Sequence, residues 1–121
     1  MTKAQNSKQY DLEDRTIAFA RRIRAYVKKL PRTIATIEDA KQLIKASGSV
    51  GANDIEANES LSKKDFIMRI KICRKEAKES RYWLQLIDAH GDADLQIELK
   101  DLVQEATELT NIFGSILRKS E

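Results

Sequence analysis

Few residues in this chain have the type and spacing to do chemistry. Two carboxylate pairs, Glu56-x-x-Glu59 and Glu76-x-x-Glu79, are spaced by three residues, which on a helix puts both members on one face within reach of a divalent cation. Mg²⁺ held that way against a phosphate substrate is the chemistry of the all-helical nucleotide pyrophosphatases. Such pairs also arise readily in a chain with 19 acidic residues, and Glu56 and Glu79 can equally serve as partners of Asn53, Arg69 or Arg81 where helices meet. His90 is the only histidine and Cys73 the only cysteine, too few for a zinc site, and a di-iron bundle needs Glu-x-x-His on two helices. There is no glycine-rich phosphate loop and no strained nucleophile turn. No catalytic residue, metal or cofactor is therefore assigned, and a Mg-dependent nucleotide pyrophosphatase is kept as the lesser alternative.

The second chemical resource is positive charge. Arg21, Arg24 and Lys28 lie on the outer face of one helical pattern, and Lys71, Arg74, Lys75, Lys78 and Arg81 on that of another, where each can neutralise a phosphate of RNA or DNA. The competing view is a solvated helix face, with Glu56, Glu59, Glu76 and Glu79 neutralising these cations through pairs three or four residues apart. Among the aromatic residues only Tyr82 stands among them as a base-stacking candidate. The formal net charge is only +3, but residues 1–50 carry 11 basic and 5 acidic groups, while residues 91–121 carry 3 and 7. Such asymmetry steers a polyanion to one side or lets subunits meet head to tail.

The elements that position these groups are four helices. With 34% charged residues, 6% aromatic and a single proline among 121, the composition suits one domain of long helices. The strongest pattern is Ser62 to His90. Phe66, Ile70, Cys73, Ala77, Ser80, Leu84 and Ile87 recur at spacings of four and three as one seam, with Met68, Ile72, Trp83 and Leu86 on an adjoining face. Ser62 is placed to cap this helix with Asp65 three residues on, Leu61 and Phe66 to form a hydrophobic staple, and Gly91 and Asp92 to end it and cap the next.

Residues 1–10 read as a flexible polar tail, and residues 11–119 as an antiparallel up-down-up-down four-helix bundle of the all-α class. The first helix runs from Asp11, its seam Leu12, Thr16, Phe19, Ile23, Val27 and Leu30 with Tyr26 at the edge, and Pro31 follows its end. The second starts near Thr36 as cap. Its seam is Ile37, Ala40, Ile44, Ser47, Gly51 and Ile55, with Leu43, Ala46, Val50 and Ala57 as a second edge. Gly48, Gly51 and Ala52 signal either a close backbone neighbour or a kink. The fourth carries the cleanest heptad: Leu95, Leu99, Leu102, Ala106, Leu109, Phe113 and Ile116. No run of about 18 apolar residues and no secretory pattern occurs, and the lone cysteine forms no internal disulfide, so a cytoplasmic protein with no membrane association is expected.

The stretches Ser49-Val50-Gly51-Ala52-Asn53, then Glu56, Ser62-Lys63-Lys64-Asp65-Phe66-Ile67, and Lys75-Glu76-Ala77-Lys78-Glu79-Ser80-Arg81-Tyr82-Trp83-Leu84 resemble the bacterial four-helix-bundle family encoded by intervening sequences of large-subunit ribosomal RNA genes. The similarity runs from about Leu12 to Leu109. Where that family usually reads small-Ile-Pro-Ala-Asn-Ile-Ala-Glu-Gly, this chain has Gly51 for the proline, Asp54 and Ile55 for the next pair, and Ala57 for the glycine. The resemblance implies a bundle that assembles into ring-like homopentamers without enzymatic activity. A related group, the accessory proteins of diversity-generating retroelements, implies as partners nucleic acid and a reverse transcriptase.

A homo-oligomer is also expected from the residues themselves. One stripe per helix suffices for a bundle, yet the third helix has two adjoining apolar faces and the second a surplus edge. Leu43, Val50, Met68, Ile72, Trp83 and Leu86 are the candidate interface. The expected task is binding, with RNA or DNA as first partner, and a protein-interaction scaffold without nucleic-acid affinity as the alternative.

Overall fold

A computed structural model describes residues 3–121 of the chain, with side chains from residue 12 onward. Four helices follow one another: α1 (Lys3–Lys28), α2 (Ile34–Asn58), α3 (Lys63–Leu86) and α4 (Ala93–Ser120). Each packs on the next and α1 closes on α4, whereas no Cα atoms of the diagonal pairs α1/α3 and α2/α4 come within 8 Å among the described residues. This is the expected all-α up-down bundle. The two largest interfaces are those of α3 with α2 and with α4. Helix α1 begins at Lys3, ahead of the Asp11 start read from the sequence. The flexible tail expected over residues 1–10 falls on residues whose side chains, and for 1 and 2 the backbone, lie outside those described.

The seams of α3 and α4 are as the spacing predicts: Ile70, Cys73, Ala77, Ser80 and Leu84 are buried, facing Leu95, Leu102, Ala106, Leu109 and Phe113. In α1, Thr16, Phe19, Ile23 and Leu30 are buried. Tyr26, expected at the edge, is fully enclosed, its hydroxyl donating to the Leu95 carbonyl at 3.1 Å. Burial first, then the charges of Glu98 and Asp92, push that phenol up to about 12.

The caps differ in part from expectation. Ser62 does accept from the Asp65 N–H, and Asp92 from the Leu95 N–H, both at 3.1 Å. Gly91 takes φ 76, as a helix stop should, but α3 already ends at Leu86 and Ile87 is extended. Ile87 and Ala89 stay buried, so the apolar pattern continued past the helical backbone. Leu61 is 98% exposed, and the staple with Phe66 does not form. Helix α2 is capped by Thr33 rather than Thr36: Thr33, extended just after Pro31, accepts the Thr36 N–H, and Thr36 becomes a buried first-turn residue.

Helix α2 is also rotated relative to its expected seam. Thr36, Ala40, Leu43, Ser47, Val50, Asp54 and Ala57, again at spacings of four and three, form its buried line, while Ile55 is 44% exposed. The helix is continuous through Gly48 and Gly51, with no kink. Gly51 marks a close approach: a Cβ there would lie 2.9 Å from Thr16 Oγ1 and 3.2 Å from Thr16 Cβ on α1. Thr16 is buried and its hydroxyl donates to the Glu13 carbonyl, so it has little room to yield. Gly51→Ala is therefore expected to lower stability by about 1 kcal/mol or more despite alanine's better helix propensity. Chemical denaturation checks this, and pairing the substitution with Thr16→Ala should recover much of the loss.

Four buried hydroxyls, one on each helix, pair with their own helix backbone: Thr16, Ser47, Ser80 and Thr110 donate to carbonyls three or four residues back. Asp54 is the exception. It is 2% exposed, and its Oδ2 is the one buried side-chain oxygen without a partner among the described residues. Burial and the nearby Glu13 carboxylate raise its pKa to about 6. Facing it are Glu13 from α1, which accepts from Asn58, and from α3 the Cys73 thiol, whose pKa burial and the Asp54 charge push up to about 12, with Arg69 acting the other way.

Because the folded pKa of Asp54 lies above its ordinary value, the folded state holds the extra proton. Its contribution is complete below about pH 4 and is lost as pH rises to about 6, on the order of 3 kcal/mol. The stability of the native protein minus that of Asp54→Asn should therefore rise on acidification from pH 7 to 4. Urea melts across that window check it, and a flat difference would contradict the assignment.

Candidate nucleic-acid interface

Helical register turns Lys64, Lys71, Lys75 and Lys78 to the side of α3 opposite its buried seam, and all four are exposed. Neighbouring positions in such a row stand about 5–6 Å apart. At its N-terminal end lies a shallow depression of about 550 Å³, floored by Ile67 and Met68 and rimmed by Lys63, Lys64, Asp65 and Lys71.

Toward α4 the positive face widens. A Cβ on Gly114 would sit 3.5 Å from both Arg74 Nε and Arg118 Nη1, so two guanidinium groups, one from α3 and one from α4, come together over this position. Gly114 is buried beneath them. Arg118 is not among the residues the sequence singles out. Arg81, half-buried, completes this side of the helix.

The competing view, with these cations neutralised by neighbouring carboxylates, finds no close ion pair among the described residues. Among the described residues no carboxylate lies within 4.0 Å of Lys71, Arg74, Lys75, Lys78, Arg81 or Arg118; the ion pairs are Arg15 with Glu105 and Glu108, Lys29 with Glu98, Lys41 with Glu38, and His90 with Asp88. Three acidic residues of α4 are thus engaged in holding α1. Arg15 reaches Glu105 at 2.7 and 2.8 Å and Glu108 at 2.7 Å. The Glu105 hydrogen bond is the largest of the contacts that raise the guanidinium's pKa, while Gln104 first and then Arg15 lower that of Glu108. Three of the seven acidic residues of positions 91–121 are therefore engaged by Arg15 of α1 and by Lys29 just after it.

Arg21, Arg24 and Lys28 are exposed on α1, diagonal to α3 in the bundle with no Cα pair between them within 8 Å among the described residues, and the structure does not gather the eight predicted cations into one surface. Arg24 also lies along its own element, donating to the Ala20 carbonyl and lying 3.6 Å from where a Gly48 Cβ would be. The proposed interface list separates similarly. Leu43 and Val50 are fully buried within a single subunit and have no surface to offer another, because the buried line of α2 runs through them. Met68 and Leu86 are 48% and 47% exposed, with Ile72 and Trp83 half-buried beside them.

The two carboxylate pairs do not converge. Among the described residues no three of His, Cys, Asp and Glu are grouped to hold a metal. Glu56, Glu59 and Glu79 are exposed. Glu76 is half-buried, and burial and then Glu79 raise its pKa against the opposing charges of Lys75 and Lys45. Among the described residues no helix is long and apolar enough to cross a membrane.

Sequential up-down packing of four helices defines the class of small all-α bundle. Residues 8–115 match the family model of the 23S rRNA-intervening sequence protein, and the chain belongs to that family. It is also similar to a protein of unknown function from the S23 ribosomal protein family of Bacteroides thetaiotaomicron VPI-5482, whose crystal structure was determined at 1.70 Å resolution. The identity is 30% and the TM-score 0.75, over 92% of this chain and 98% of that one. No curated protein matches.

Proposed function

We propose that this protein is a non-enzymatic binding factor whose α3 face takes the phosphate backbone of RNA or DNA. The observation that carries this is the unpaired state of the cationic face: among the described residues Lys71, Arg74, Lys75, Lys78, Arg81 and Arg118 have no carboxylate partner. A row of solvated cations not held in close ion pairs attracts a polyanion and releases its condensed counterions on contact. Titration of the purified protein with labelled RNA and DNA at low salt tests it. Absence of binding to either leaves the protein-interaction scaffold as the standing alternative.

The active form is a homo-oligomer joined through the apolar strip Met68, Ile72, Trp83 and Leu86, which borders the cationic row and, for Met68 and Leu86, is about half exposed in one subunit. Five subunits in a closed ring, and a reverse transcriptase as protein partner, rest on the family likeness alone. Light scattering checks the assembly: a monomer mass at all concentrations would reject it, and a dimer or trimer would reject only the ring of five.

A further inference from the structure

We propose that the α3 face takes unpaired, single-stranded nucleic acid, with one base stacked on the ring of Tyr82. The proposal rests on the nucleic-acid function above and names its substrate class. Lys71, Lys75, Lys78 and Tyr82 follow at spacings of four, three and four, so the ring occupies the next position of the lysine row itself, about 16 Å along the helix from Lys71. Tyr82 is 54% exposed, unlike Tyr26, whose ring is enclosed.

Its orientation is set by Trp83. The two ring centroids are 5.0 Å apart at an interplanar angle of 75°, an edge-to-face contact that leaves at least one face of the phenol uncovered by the indole. Trp83 packs in turn against the buried core. A stretch of phosphate-binding cations ending in a propped, solvent-facing ring is the combination that holds single strands: the cations track the backbone and the ring receives a base face. A duplex offers its phosphates to the same row, but its bases are already stacked on one another and have no free face for Tyr82 except at an end.

Equilibrium binding of the full-length protein, Tyr82→Ala and Tyr82→Phe to an unstructured oligonucleotide and to a blunt duplex of equal length tests this, with DNA and RNA arms. Trp83, the only tryptophan, reports occupancy through its fluorescence. Tyr82→Ala is expected to weaken single-strand binding about 5- to 100-fold while duplex affinity and salt dependence stay unchanged. Tyr82→Phe, which keeps the ring, should stay within about twofold of the native protein, and unchanged melting curves should show that both variants fold. An equal loss on duplex and single strand, or no loss on single strand, would overturn the stacking proposal and leave phosphate binding intact. Failure of the native protein to bind either nucleic acid at low salt would overturn both.

Discussion

Reversing Lys71, Lys75 and Lys78 together to glutamate is expected to reduce nucleic-acid affinity by about 1,000-fold or more at 0.1 M salt. Each phosphate contact removes roughly one condensed counterion, so each lysine is responsible for about a factor of ten at that ionic strength, and reversal adds repulsion to the loss. All three side chains are exposed and unpaired among the described residues, so the fold should tolerate the change and circular dichroism should show native helicity. Reversal of Arg21, Arg24 and Lys28 on α1 is the matched comparison. It alters net charge by the same amount on a helix that has no Cα within 8 Å of one in α3 among the described residues, and should weaken binding far less. Gel-shift or anisotropy titrations distinguish a local contact surface from a general effect of charge.

Ile70→Asp is expected to abolish the folded state. Ile70 is 1% exposed on the helix that shares the two largest interfaces of the bundle. Substitution removes an aliphatic group from a packed core, costing about 2–5 kcal/mol, and leaves a carboxylate without solvent or partner, costing several more. The sum approaches the whole stability of a small domain, about 5–15 kcal/mol. Leu99→Asp should be milder, because Leu99 is only half-buried at the edge of the core and its carboxylate can reach water. Thermal melts followed by circular dichroism read both: a cooperative transition for Ile70→Asp near the native temperature would contradict the assigned packing.

The parts of the fold legible in the sequence were those encoded by apolar residues at helical spacing. The heptad from Leu95 to Phe113 and the seam from Ile70 to Leu84 turned inward as their spacing requires. Helix α2 is misaligned in the sequence reading because its buried line includes Thr36 and Asp54, and polar types carry no burial signal, whereas Ile37, Ile44 and Ile55 beside them do. A hydrophobic residue in place of Asp54 would have disclosed the correct face. Of the cationic site, the α3 residues could be assigned from register, but their freedom from ion pairs could not. Glu76 and Glu79 stand within three or four residues of these cations yet form no close ion pair with them among the described residues, an outcome of side-chain placement for which local spacing holds no information. Arg118 was missed for the same reason, since its proximity to Arg74 is made across two helices.

The most direct test of phosphate binding by the α3 row is the salt dependence of the dissociation constant, measured between about 50 and 300 mM salt for the native protein and for the Lys71, Lys75 and Lys78 variant. With four or five phosphates engaged, the logarithm of the association constant should fall against the logarithm of salt with a slope of about −3 to −4, and loss of the three lysines should flatten that slope by about 2. A native slope near zero, or a steep slope that the variant retains, would contradict the proposal that this face binds nucleic acid.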